Sequence, residues 1–260
     1  GNSSVGGFAG YIAGPAATRN YSTGAVSASG ASSQGVGGFA GVNTGQITQS
    51  YSTGAVTAAS STHVGGFVGR NGGQAWEGNG QIQNSYATGA VTGGSRTGGL
   101  VGTNQANAGY TATIDRSYAT GAVSGTSDVG GLVGRNVDST GIISNSFWDT
   151  QTTGQSSGWV TGSYTTSITG TSGKTTAEMK TDTTFASWGT NLVIDASLVS
   201  VYPRLRWATS GLSAGTSVWV ISNSVIPVSY TLGTATVTYN GTEHSLAALW
   251  SAASIIAATY

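Results

Sequence analysis

Ser50–Val56 reads SYSTGAV. Ser85–Val91 and Ser117–Val123 both read SYATGAV, and Asn20–Val26 reads NYSTGAV. A second signature travels with this one: GGFAG at Gly6 and Gly37, GGFVG at Gly65, and GGLVG at Gly98 and Gly130. Successive Gly-Gly pairs lie 31, 28, 33 and 32 residues apart, and a fifth, altered copy carries Phe147 where the others carry Tyr. The chain is therefore a repeat array, and the period decides which kind.

Helical repeats need apolar spacings of three and four over ten or more residues. No copy has them, and 43 glycines in 260 residues oppose helix further. Each copy reads instead as short β segments broken by Gly and Asn. In copy two these are VGGFAGVN, GQITQSYS and GAVTAAS, three strands and three turns. That is one coil of a solenoid, and the period is short for a four-stranded propeller blade. The expected fold is all-β: a parallel β-solenoid of about five coils over residues 1–150.

In a solenoid successive coils stack at the ordinary strand spacing of about 4.8 Å, so equivalent residues form columns. Tyr21, Tyr51, Tyr86, Tyr118 and Phe147 form an aromatic column; Val26, Val56, Val91 and Val123 an aliphatic one. Phe8, Phe39, Phe67, Leu100 and Leu132 form a third. Asn43, Asn71, Asn104 and Asn136 share a turn position and can bond one another as an amide ladder. The glycines are expected to supply positive φ at corners and close backbone approach. On this reading the heptapeptide repeats because each column needs one residue type.

The unit VGGFVGRN…GQIQNSYATGAVTG resembles the GLUG repeat of large bacterial surface exoproteins, including filamentous-haemagglutinin-like adhesins. SFWDTQTTGQSSG…YPRLRW resembles the block that closes such arrays, and ATVTYNGTEHSLAALWSAAS resembles the start of an MBG-type module. The resemblance implies a secreted, right-handed β-helix and transfers no catalytic residue. Two departures stand out. Copy one has Ile12 where later copies have Asn, and copy five reads SFWDT, with Trp148 and Asp149, where regular stacking is expected to stop.

Residues 151–207 lose the period and read as a C-terminal cap. TTAEMK is the best helix candidate, with Thr175 or Thr176 as its cap and Glu178 in its first turn. Trp159, Phe185, Trp188, Tyr202 and Trp207 supply apolar mass to cover the open solenoid end. Residues 208–260 read as a small β tail, with strands in SVWVIS, IPVSYTL and ATVTYN and a turn at Asn240.

Composition narrows the function. The formal net charge is zero, so nothing here is built to neutralise nucleic-acid phosphates. No apolar run is long enough to span a membrane, and cysteine is absent, which excludes disulfides and thiolate metal sites. Gly1 stands in mid-pattern, with no charged-then-apolar leader after it. Acid pairs are wanting: Asp115, Asp128 and Asp138 fall in no common column. His63 and His244 stand alone and read as structural or surface residues. No catalytic residue, metal or cofactor is expected.

One feature rises above scaffold. From Gly-Gly to the aromatic column the five copies span 15, 14, 21, 20 and 17 residues, so copies three and four carry insertions at one turn. NGGQAWEGNG and NQANAGYTAT would then lie side by side, presenting Trp76, Glu77 and Tyr110 near Arg70 to a sugar ring. The plainer reading, and the favoured one, is a tolerated surface insertion with the aromatics folded onto the wall. The expected function is a rigid, extracellular segment of a bacterial surface adhesin, with a host or matrix glycan or protein as partner. The alternatives are head-to-tail self-assembly into a filament and a carbohydrate-binding or carbohydrate-active β-helix.

Overall fold

The computed structural model describes residues 4–30, 35–73, 78–107, 109–137, 140–162, 167–193, 202–205, 219–221, 229–232 and 235–238. Coil one passes through five short strands: β1 (Ser4–Gly6), β2 (Ala9–Ile12), β3 (Ala17–Thr18), β4 (Tyr21–Ser22) and β5 (Val26–Ser27). Each heads a parallel sheet whose next member lies one coil further along the chain. In the first sheet Val5 pairs with Val36, Val36 with Val64, Val64 with Thr97, and Thr97 with Val129. These steps equal the Gly-Gly spacings, so the sequence period is the length of one turn. The fold is an all-β parallel solenoid of about four complete turns, followed by a shortened one.

Five strands per turn replace the three expected, because two of those segments are bent. One bend follows the Gly-Gly pair. The other lies at a residue with positive φ: Arg19 (59°), Gln49 (48°), Asn84 (49°), Arg116 (45°) and Asn145 (44°). The repeating glycines therefore do not supply these corners. At the first corner Asn20 Nδ2 donates to the Thr18 carbonyl; what fixes the other four is the serine that follows. Ser50, Ser85, Ser117 and Ser146 each donate a hydroxyl bond across the corner, to the carbonyls of Thr48, Gln83, Asp115 and Ser144 at 2.7–3.0 Å. Each hydroxyl also accepts the N–H of the matching residue one coil earlier, from Asn20, Ser50, Ser85 and Ser117. A left-handed backbone that costs about 1–3 kcal/mol per residue is thus held by bonds in two directions.

The glycines serve close approach. A Cβ on Gly54, Gly89 or Gly121 would lie 2.0, 2.0 and 1.9 Å from the carbonyl oxygen of the matching glycine in the preceding coil.

Inside the coils Phe8 stacks on Phe39 and Phe39 on Phe67, with ring centroids 4.7 and 4.8 Å apart; Leu100 and Leu132 continue the stack. Ile47, Ile82, Ile114 and Ile143 pack against them, all fully buried. A second core joins Val36 and Val64 of the first sheet to Val26, Val56 and Val91 of the fifth. Burying each such side chain is worth about 1.5–3 kcal/mol.

At copy five the pairing does not stop. Val160–Thr161, Ser167–Thr169 and Ser172–Lys174 add one more strand each to the second, third and fourth sheets. What stops is the aromatic column, since Phe147 pairs with Ser172. Trp148 takes the inward position held by Ala119 one turn earlier. It fills the lumen, with Trp159 edge-on at 5.7 Å. Asp149 caps a one-turn helix, α1 (Thr150–Thr153), accepting from the N–H groups of Gln151 and Thr152.

The rest of the expected cap sits elsewhere. Phe185, Trp188, Met179 and Leu205 pack on the outward-facing aromatic column, against Tyr86, Tyr118 and Phe147. They cover a flank of the solenoid and leave the lumen to Trp148 and Trp159. The Tyr118 hydroxyl donates to the Pro203 carbonyl, and Trp188 Nε1 to the Asn145 carbonyl at 2.7 Å. TTAEMK forms a 3₁₀ turn at Glu178–Lys180 rather than an α-helix. The residue before the turn is Ala177, which makes no side-chain cap; Thr175, two residues earlier, forms a reciprocal pair with Glu178, Thr175 N donating to Glu178 Oε2 and Glu178 N to Thr175 Oγ1. Trp207 and Asn240 lie outside the described residues. In the tail, Trp219–Ile221 pairs with Leu192–Val193 and Pro203–Leu205, and Ser229–Leu232 forms an antiparallel pair with Ala235–Thr238.

Candidate functional site: the stacked columns and the inserted loops

The described polar side chains are largely committed to neighbouring coils. In the amide column, Asn43 Nδ2 donates to Asn71 Oδ1, Asn71 to Asn104, and Asn104 to Asn136, each at 2.8 Å. The second N–H of each reaches a backbone carbonyl, such as Gly80 O for Asn71 and Ala112 O for Asn104. All four side chains are fully buried. The row ends at Ile12 on one side and Thr161 on the other, which pair with Asn43 and Asn136.

The aromatic column faces outward. Tyr21, Tyr51, Tyr86 and Tyr118 stack with centroids 5.3, 5.0 and 5.0 Å apart. Tyr86, Tyr118 and Phe147 are covered by the C-terminal segment; Tyr51 is half-buried and Tyr21 is 54% exposed.

The inserted turns of coils three and four lie side by side, with the shorter turn of coil five next to them. Asn79 Oδ1 accepts from Thr111 N at 2.7 Å, and Thr140 Oγ1 bonds both the N–H and the carbonyl of Ala106. Tyr110 is half-buried beside them. Trp76 and Glu77 lie outside the described residues. Arg70 does not line this edge as an open side chain: it is 2% exposed, on the strand Val68–Asn71.

The described carboxylates of the array are spent on structure. Asp115 accepts from Gln83, Ser144 and Asn145 and pairs with Arg116 at 2.8 Å. Asp128 pairs with Arg135 at 2.9 Å. Burial pushes Asp149 up, but hydrogen bonds from Tyr202, Thr152 and Gln151 outweigh it and hold the carboxyl below its ordinary range. Burial and the same contact raise the Tyr202 phenol. Asp138, Asp195 and Glu243 lie outside the described residues, as does His244. Among the described residues no three His, Asp or Glu side chains gather.

Among the described residues His63 is the one strongly shifted group. It is 7% exposed, with Nδ1 2.7 Å from Thr103 Oγ1. Burial, then the positive charges of Arg96 and Arg70, lower its pKa from 6.5 to about 4. The unfolded chain therefore takes a proton near pH 6.5 that the folded chain refuses until about 4. Stability is full above pH 6.5 and is expected to fall by at most about 3 kcal/mol as the pH drops toward 4. Urea midpoints measured across this window check it. His63→Asn, which tolerates the positive φ of 58°, should flatten the profile.

The serine that opens the quoted motif, whose hydroxyl ties adjacent coils, is marked in the sequence only by its recurrence in three of the four copies.

The GLUG motif matches residues 32–57 and 60–92. Each match spans one coil, from Gly35–Gly37 to Val56–Ala58 and from Val64–Gly65 to Val91–Gly93. No curated protein and no solved structure matches the chain. The chain thus carries two GLUG motifs in a parallel β-solenoid, which fits the repeat region of a surface protein.

Proposed function

We propose that this chain is a rigid structural segment of a secreted bacterial surface adhesin or exoprotein. It lies outside the cell and works as a rod that carries attachment, not as an enzyme. The tail belongs to this reading as the start of an MBG-type module. One observation supports it above the others: buried Asn, Ser and Gly columns tie each coil to the next, and the described carboxylates of the array are held in ion pairs and caps. Surface display on a non-adherent bacterium tests it. Attachment to matrix-coated glass should rise with the intact chain and stay at background when Gly54, Gly89 and Gly121 are all replaced by Ala. Equal attachment in both would sink the proposal.

A second reading, glycan contact at the inserted turns, is favoured by the bond between Asn79 and Thr111, which sets Tyr110 beside its neighbours. Loss of glycan-array signal in Tyr110→Ala, with an unchanged melting curve, would establish it.

A further inference from the structure

A second column of left-handed residues stands at the first sheet. His63 (φ 58°), Arg96 (53°) and Asp128 (48°) occupy it in coils three, four and five. His63 and Arg96 each lie across a strand of the second sheet one coil further on. A Cβ on Gly102 would lie 2.6 Å from His63 C, and one on Gly134 2.4 Å from Arg96 C. Gly102 precedes Thr103, and Gly134 precedes Arg135. His63 accordingly meets Thr103, with Nδ1 2.7 Å from Oγ1. The same placement sets Arg96 against Arg135.

Two guanidinium groups side by side repel, and this flank holds little to offset them. Asp128 pairs with Arg135 Nη1 at 2.9 Å. Among the described residues the ion pairs are Arg116 with Asp115 and Arg135 with Asp128, which leaves Arg96 without one. Arg135 Nε is buried and has no acceptor. Arg70 adds a third guanidinium, one coil before Thr103 in the same register. The positive charge of the flank reaches His63, where burial first, then Arg96 and Arg70, keep the ring neutral.

We propose that Arg96 and Arg135 form a binding site for an oxyanion, a sulfate or carboxylate group, seated between coils four and five. A guanidinium presents paired N–H donors that match two oxygens of such a group. The ligand enters at Arg96, which is partly exposed, and gives Arg135 Nε the acceptor it lacks. Asp128 holds Arg135 in place from the other side of its fork. The site does not depend on the adhesive role. The free ion and the same group carried on an acidic polysaccharide present one chemistry.

Calorimetric titration at neutral pH should show saturable binding of sodium sulfate and none of sodium chloride at equal ionic strength. Arg96→Gln, a residue type that holds the same backbone at Gln49, should weaken it about tenfold or more. Arg135→Lys keeps the charge but loses the fork, and should also weaken binding with an unchanged melting curve. Bound sulfate offsets the charge of Arg96. The His63 imidazole, followed by proton NMR, should therefore titrate above about 4 in sulfate and not in chloride. Dextran sulfate separates the two sources: tighter binding per sulfate group than the free ion points to the polymer, equal binding to the ion. No saturation by sulfate in the unaltered chain would overturn the proposal. So would sulfate binding retained in full by Arg96→Gln.

Discussion

Gly89→Ala is expected to destroy the cooperative unfolding transition of the solenoid, while Gly24→Ala, two coils earlier in the same column, leaves it unchanged. The added Cβ at Gly89 would lie 2.0 Å from Gly54 O and 2.5 Å from Gly54 C. Those are backbone atoms of the adjoining coil, held there by the parallel ladder on either side, so no side chain can swing away. Relief requires the coils to separate and to lose pairs such as Val56 with Val91. Overpacking against side chains costs about 1–3 kcal/mol; against fixed backbone we expect about 4 kcal/mol or more. At Gly24 nothing lies within 4 Å. A surface change of that kind stays within about 0.5 kcal/mol. Urea unfolding of the two variants measures the difference, and equal midpoints would refute the close-approach role.

The second large effect belongs to the amide ladder. Asn71→Ala removes the middle of a fully buried row. It strands the Asn43 amide hydrogen, the Asn104 carbonyl oxygen and the carbonyl of Gly80. A buried polar group left unmet costs about 1–3 kcal/mol, so a loss of about 4 kcal/mol is expected. Asn136→Ala, at the end of the row, strands fewer groups and should cost about half as much. Equal losses at the two positions would mean that local packing, and not the row, sets the stability.

The columns were legible because a period fixes which residues must meet, whatever the detailed path of the chain. Tyr51 and Tyr86 are 35 residues apart, yet identical contexts identify them as neighbours. The corners were not legible. Glycine takes positive φ at turns such as Gly14 and Gly72, but nothing local marks Gln49 or Arg116 for it, and of the two serine bonds that hold each of them one runs to another coil. The placement of Phe185 and Trp188 was hidden for a related reason. Composition shows that aromatic mass is available, but an outward-facing tyrosine column needs cover as much as an open lumen does. The lumen was already filled by Trp148, visible in the sequence only as a break in the repeat. The inserted turns were legible as one edge. What they present rests on Trp76 and Glu77, which lie outside the described residues.

The asparagine row also has a sense. All three of its bonds run the same way, nitrogen of one coil to oxygen of the next. The side-chain dipoles therefore add head to tail, with the oxygen end at Asn43 and the hydrogen end at Asn136. Each amide polarises the one after it, so a longer row binds each member more firmly than a shorter one. The rod consequently carries an electrical direction along its axis, although its net charge is zero.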